Sequence, residues 1–229
     1  KYGCFLEQFA AAIKPYLEAN GMKDKCWLHV SDEPNDKQLR SYGKASRLIS
    51  RLFPDYKTLD ALSNYKYYKN GLVKTPVPSL EHTDRFYGNV ENFWTYYCCG
   101  QYKGTSNRFM AMPSYRNRII GVQLYKYDIE GFLHWGYNYY HNFCSYDYVN
   151  PFADSTGEYF NPSGDAFLVY PGNNEALECL RLNGMRQAME DHRMLKLYES
   201  KFGREKTLSM LEEVIGYETK EEPAEEKAE

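Results

Sequence analysis

Two carboxylates stand side by side in Ser31-Asp32-Glu33-Pro34, directly after the short apolar run 26–30. Like charges a few ångströms apart raise the pKa of one partner and have to be held in place. Such a pair at a strand end therefore suits general acid–base work, with one group giving a proton and the other orienting substrate. Along a strand, the period of two puts His29, Ser31 and Glu33 on one face while Asp32 leaves at the turn. Glu33 is the expected proton donor, with Asp32 beside it to hold a substrate group. The same two residues would also serve as ordinary acids at the start of the following helix, and the motif alone leaves both readings open.

Other reactive side chains are less organised. The six cysteines, Cys4, Cys26, Cys98, Cys99, Cys144 and Cys179, form no CxxC pair and no paired zinc spacing. They read as free, mostly packed thiols, with the adjacent Cys98 and Cys99 as the one pair whose reactivity merits a check. His29, His82, His134, His141 and His192 lack metal-ligand spacing, and only His29 and His134, near strand ends, are candidates to line a cleft. Gly43-Lys44-Ala45-Ser46 lacks the earlier glycine of a phosphate loop, since Gln38 stands there, and it falls inside a helix. No metal, nucleotide or other cofactor is expected. Aromatic residues make up 17% of the chain, with 23 Tyr against 3 Trp, a supply that suits stacking on sugar rings although most of these rings belong to the core.

The 229 residues carry a formal charge of -3 without a basic stripe, which argues against nucleic acid as a partner. No apolar run reaches the roughly 18 residues of a membrane-spanning helix. The opening at Lys1 shows no initiator Met, charged leader or signal-peptide core, so it assigns no compartment.

The elements that must position these groups alternate. Phe5, Phe9, Ala12, Ile13 and Leu17 form a helical stripe over 5–20, closed by Asn20-Gly21. Residues 26–30 read as a buried strand, and Asn35-Asp36 caps a helix that runs to Phe53 and is stopped by Pro54. Strands follow at 58–62 and 72–77, then a capped stretch over 82–88, a strong strand at 93–98, helical spacing over 113–127 and a strand at 131–135. Residues 139–163 read as a long aromatic loop, a functional rim more than a spacer. A last strand at 166–170 precedes helices at 174–202 and 205–215. Alternating strands and helices imply an α/β fold, a parallel sheet covered by helices. Five principal strands before residue 136 are too few to close an eight-stranded barrel, so the expectation is a piece of a TIM-type (β/α)8 barrel. Its boundaries are 1–216, followed by a disordered acidic tail over 217–229.

Four blocks in order, Ser31-Asp32-Glu33-Pro34, the stretch 118–138, the stretch 164–172 and the helix from Leu180-Arg181 to Glu190-Asp191, make the chain resemble the catalytic domain of glycoside hydrolase family 123 over about residues 5–200. The resemblance implies a (β/α)8 barrel that acts on β-linked N-acetylgalactosamine, or a related N-acetylhexosamine, by substrate-assisted retaining catalysis. In that scheme Glu33 is the acid/base, and Asp32 holds the 2-acetamido group as its carbonyl oxygen attacks C1. A carbohydrate, as glycan or glycoconjugate, is then the expected partner. The residues expected to bind it are His29, Tyr96, Tyr97, Trp135 and Asn138, with Trp135 as a floor under the sugar and Tyr96 or Tyr97 donating to the acetamide oxygen.

A retaining glycosidase with its own nucleophile needs a second carboxylate about 5 Å from the acid. In many barrel glycosidases that nucleophile ends the third strand after the acid/base strand, here 93–98, yet residues 95–105 contain no Asp or Glu. The sugar's acetamide can fill that role, with Asp60, Glu81 and Asp147 as substitutes among loop carboxylates. Only one helix precedes the Asp-Glu strand, where the family has further strands and helices. The first three strands are expected to come from a longer chain or another subunit, since an open parallel edge would otherwise be left. A catalytically silent carbohydrate-binding barrel domain or fragment is the alternative function.

Overall fold

The first helix, α1 (Tyr2–Ala19), ends at Asn20 and the left-handed Gly21 (φ 63°). The computed structural model describes residues 2–215, so the expected tail over 217–229 lies outside them. The packed side of α1 is Ala10, Ile13 and Leu17, set against Phe53 and Tyr56. Phe5 and Phe9, assigned by spacing to that same stripe, are instead 59% and 48% exposed and stack on each other. The apolar arc of α1 is wider than the surface it lies on, and its second half faces outward.

Next come β1 (Trp27–Leu28), α2 (Leu39–Leu52), β2 (Lys57–Ala61), the single turn α3 (Lys66–Lys69) and β3 (Thr75–Val77). A 3-10 turn over Asp36–Gln38 leads into α2. It is set by a capping box, in which Asn35 Oδ1 accepts the Lys37 N–H at 3.0 Å and Gln38 Oε1 accepts the Asn35 N–H at 2.9 Å. The helix buries Tyr42, Gly43 and Ser46 and stops at Phe53, before Pro54. The chain continues through a 3-10 turn (Leu80–Arg85), β4 (Trp94–Tyr96), α4 (Ser114–Arg118), α5 (Ile120–Lys126) and β5 (Gly131–Leu133). The helix expected over 113–127 is thus two short helices that meet at Ile119.

All five strands pair in parallel. The order is β1-β2-β3 in one sheet and β4-β5 in another. A parallel bridge between Ser79 and Tyr96 joins the two sheets. Pro76 and Pro78 supply no N–H, which is why the ladder between β3 and β4 shrinks to that one bridge. Among the described residues no closed barrel is formed, and β1 is an edge strand with one side unpaired.

The strand and helix expected over 166–170 and 174–202 are corrected. β6 (Val169–Pro171) and β7 (Ala176–Glu178) form an antiparallel hairpin, and the long helix α6 (Leu180–Phe202) starts only after it. Gly172 donates to the Glu175 carbonyl at 2.9 Å, and Asn174 takes a left-handed φ of 61°, which Asn tolerates well. Ala, Leu and Glu at 176–178 are good helix formers, so hairpin pairing overrides local propensity there. The last helix, α7 (Arg204–Ile215), follows Gly203, whose positive φ of 85° separates the two helices. The expected loop over 139–163 holds a 3-10 turn (Phe143–Ser145) and one antiparallel bridge, His141–Tyr148, and a second bridge, Asn138–Phe167, closes its base.

The main core gathers Tyr42, Leu62, Tyr67, Phe86, Phe93, Tyr97, Ile120 and Leu124 between the strands and α2, α5 and α6, with Ala188 of α6 at its back. Burial of each of the larger apolar side chains contributes about 2 kcal/mol. On the outside of α6, Arg118 grips Asp191 with two charge-assisted hydrogen bonds of 2.6 and 2.7 Å.

Candidate active site

Regular pairing of β1 with β2 covers only Trp27–Lys57 and Leu28–Thr58. Beyond it the chain bulges and is caught again where the Glu33 N–H reaches the Ala61 carbonyl at 2.9 Å. Glu33 sits there at φ 38°, a left-handed backbone conformation that is strained for a residue with a side chain. This geometry lifts Asp32 and Glu33 clear of the sheet, and both are exposed.

Glu33 lines a cleft of about 710 Å³ with Tyr96, Ser79, Glu81, His82 and Arg85 among its walls. The Tyr96 hydroxyl, brought by β4, donates a short hydrogen bond to Glu33 Oε1. Burial, and then the bond to Glu33, push the Tyr96 hydroxyl well above its ordinary pKa, so it stays a donor. Behind it, Ser63 donates to Ser79 Oγ at 3.2 Å, and Ser79 Oγ lies 2.7 Å from His82 Nδ1. Asp32 follows Ser31 on the same bulge, and among the described residues its carboxylate has no hydrogen-bond partner.

Asp60 is no loop carboxylate. It lies on β2 with no exposure, and burial raises its pKa while three hydrogen-bond donors and the nearby His29 pull it back. The donors are Tyr42 O–H at 2.6 Å and the N–H groups of Ser31 and Val30 at 3.0 and 2.7 Å, and His29 Nδ1, which faces the Leu59 carbonyl at 3.3 Å, lies 2.8 Å from Asp60 Oδ1. His29 is itself exposed and turned toward Asp60. Glu81, at the cleft, accepts from Gln101 Nε2 at 3.1 Å. Asp147 is exposed in the loop over 139–163.

A second cluster forms where β5 ends. The register sets Leu133 opposite Tyr96, so His134 and Trp135 extend the same rim of the sheet. Trp135 is 41% exposed, yet its indole N–H is anchored on Asp165 Oδ2 at 2.9 Å, and its ring edges against Tyr139 and Phe160. Asp165, fully buried, also accepts from His134 Nε2 at 3.1 Å. His134 Nδ1 faces two donors, Arg108 Nη2 at 2.7 Å and the Gly136 N–H at 3.0 Å. These contacts assign the neutral imidazole with its proton on Nε2. Burial, and then Arg108, hold the His134 pKa below its ordinary 6.5 against the pull of Asp165. Asn138 is exposed, and its backbone bridges to Phe167.

Tyr97 faces the other way. It is fully buried in the core, with its hydroxyl 3.3 Å from Asn117 Oδ1, which follows from its standing next to Tyr96 on an alternating strand. Burial pushes the Cys98 thiol up to about 12, so it carries no thiolate at neutral pH. Among the described residues no group of three His, Cys, Asp or Glu is arranged to hold a metal ion, and no helix is long and apolar enough to cross a membrane. Sequence reasoning missed Asp165 and Arg108. The only signal for them was Gly164-Asp165 within a motif block, and it does not by itself distinguish a buried anchor from a turn.

The family model described as the glycoside hydrolase 123 catalytic domain matches residues 1–198. Among curated proteins none matches. A solved structure of a family 123 glycoside hydrolase from Clostridium perfringens, determined to show the details of glycolipid glycan hydrolysis, matches with a TM-score of 0.68 at 19% identity. The match covers 94% of this chain and 37% of that one, so the chain spans little more than a third of that protein's length and shares its fold there.

Proposed function

Because the chain belongs to glycoside hydrolase family 123, we propose that it cleaves terminal β-linked N-acetylgalactosamine, or a related N-acetylhexosamine, by substrate-assisted retaining catalysis. The observation that carries this reading is Glu33, raised on a bulged strand end into an open cleft and held there by the Tyr96 hydroxyl. Glu33 protonates the glycosidic oxygen and then takes a proton from the incoming water. Asp32, whose oxygens have no hydrogen-bond partner among the described residues, accepts the acetamide N–H and steadies the positive charge that develops as the acetamide oxygen closes on C1. Trp135, its indole pinned by Asp165, offers a fixed aromatic face beyond the end of β5 for the sugar to stack on, and the exposed His29 and Asn138 are proposed as further polar contacts.

The five parallel strands are five of the eight of a (β/α)8 barrel in this reading. The unpaired side of β1 and the outward aromatic face of α1 are the surfaces that the rest of the barrel covers, supplied by a longer chain or another subunit. The same open edge favours one rival, a catalytically silent carbohydrate-binding domain, because the strand that carries Asp32 and Glu33 is walled on one side only.

Hydrolysis of an aryl β-N-acetylgalactosaminide, and its inhibition by a thiazoline mimic of the bicyclic intermediate, test the proposal. Turnover with tight thiazoline inhibition that Asp32→Asn weakens is the expected result. Binding of the sugar with no turnover supports the silent domain. Comparable cleavage of the 2-hydroxy galactoside, or a 2-fluoro sugar trapped as an ester on Glu81, would replace the acetamide by an enzyme nucleophile.

A further inference from the structure

Parallel strands hold each other by evenly spaced backbone hydrogen bonds. Between β1 and β2 that pattern stops after Leu28 and resumes only at Glu33. In the gap, the partner of the Val30 and Ser31 N–H groups is a side chain: Asp60 Oδ1 accepts them at 2.7 and 3.0 Å. The same oxygen lies 2.8 Å from His29 Nδ1, while Oδ2 takes the Tyr42 hydroxyl of α2 at 2.6 Å. A buried carboxylate is expensive unless its oxygens are all occupied, and an apolar residue would fill the same space at lower cost. The convergence of three successive residues, His29, Val30 and Ser31, on one buried carboxylate gives that cost a purpose. It fixes the backbone one residue ahead of Asp32, from a strand and a helix that are themselves part of the rigid core.

We propose that Asp60 is a positioning residue for the Asp32–Glu33 pair, acting as a side-chain rung that replaces the missing backbone ladder and, with Tyr42, sets where the two carboxylates stand beyond the end of β1, with Glu33 over the cleft. This rests on the reading of Asp32 and Glu33 given above. Asp60 is too deeply buried to meet the sugar itself, which removes it from the possible nucleophiles.

The test compares the native chain with Asp60→Asn, Asp60→Ala and Tyr42→Phe, each checked for a cooperative thermal transition. Two readouts are taken: amide hydrogen exchange over residues 30–33, and kcat and KM on an aryl β-N-acetylgalactosaminide. Misplacement of a catalytic group by about an ångström costs on the order of a hundredfold in rate. Asp60→Ala is therefore expected to lower kcat by about 100-fold and Asp60→Asn, which keeps an acceptor, by about 10-fold, with KM within about threefold of native. Exchange should accelerate over 30–33 and stay unchanged in α6. Adding Asp60→Ala to Glu33→Gln should cost little beyond Glu33→Gln alone, since groups acting as a unit are not additive. Should Asp60→Ala not fold, Asp60→Asn and Tyr42→Phe carry the same comparison. Unchanged exchange over 30–33 in a folded variant overturns the proposal, as does faster exchange with native kcat. A native chain that turns over no β-N-acetylhexosaminide brings down the reading of the site and the catalytic half of this proposal, and the exchange data still decide whether Asp60 holds the segment.

Discussion

Among the described residues Tyr96 holds one oxygen of Glu33, so the side chain proposed as general acid is oriented without being enclosed. Proton donation matters in proportion to how poor the leaving group is, and a positioned acid supplies roughly 10²–10⁴-fold. Glu33→Gln should therefore lower kcat/KM by about that factor on alkyl glycosides and much less on an activated aryl glycoside, with the thermal midpoint unchanged. Equal, slight losses on both substrates would remove Glu33 from the acid role. The pair stood out in the sequence as adjacent acids at the end of an apolar run, but the same two residues suit the start of a helix, so the motif alone did not separate a proton donor from an ordinary helix-start acid. Asp165 did not stand out. Its partners His134 and Trp135 lie some 30 residues away in the chain, and a single Gly-Asp step looks the same whether it anchors an indole or makes a turn. Asp60 fell inside the strand expected over 58–62 and was still counted among the loop carboxylates, and only the fold reveals that its carboxylate meets the backbone of 30 and 31.

Elements meet in two places where the tolerance is small. At the end of β5, His134 is held neutral between Arg108 and Asp165, with its pKa below the ordinary value. The unfolded chain takes up a proton near pH 6.5 and the folded chain resists it, so this residue's contribution is complete above about pH 6.5 and is lost as the pH falls toward the folded pKa. Thermal midpoints of the native chain should fall between pH 7.5 and 5 more steeply than those of His134→Gln, which starts lower but carries one fewer proton-linked group. Parallel slopes for the two would show that His134 is not responsible. At the contact of α5 with α6, a Cβ on Gly121 would lie 1.8 Å from the Ala188 carbonyl oxygen. Gly121→Ala must push the helices apart, at about 3 kcal/mol, or roughly 6–12 °C in the midpoint, measurable by calorimetry. Element types were readable where periodicity or caps were strong, as in α2 with its Asn35–Gln38 box. The hairpin of β6 and β7 was not, since Ala176-Leu177-Glu178 has helical composition and only its pairing with 169–171 makes it a strand.

Across the whole molecule, the run of parallel strands ends at an unpaired edge on β1, and Phe5 and Phe9 stand outward on the helix in front of it. Exposed apolar surface beside an open edge invites association. Phe5→Glu with Phe9→Glu should lower any concentration-dependent self-association seen by sedimentation while moving the thermal midpoint by less than about 2 °C, because those rings bury little within the chain. A large fall in the midpoint would show that the rings pack where the structure leaves them exposed. That the strands close no barrel among the described residues was legible from their count, whereas the side of α1 left uncovered was not, since Phe5, Phe9, Ile13 and Leu17 share a spacing and differ only in what lies opposite. The contact of Ala188 with Gly121 also has a consequence for synthesis on the ribosome. Residues 120–126 bury Ile120 and Leu124 in the core that α6 closes, and the sequence of α6 runs from 180 to 202, so the nascent chain has no such cover for α5 until some 60 further codons have been read. At about 5–20 residues per second that is a window of several seconds, in which the apolar side of α5 has no α6 to pack against.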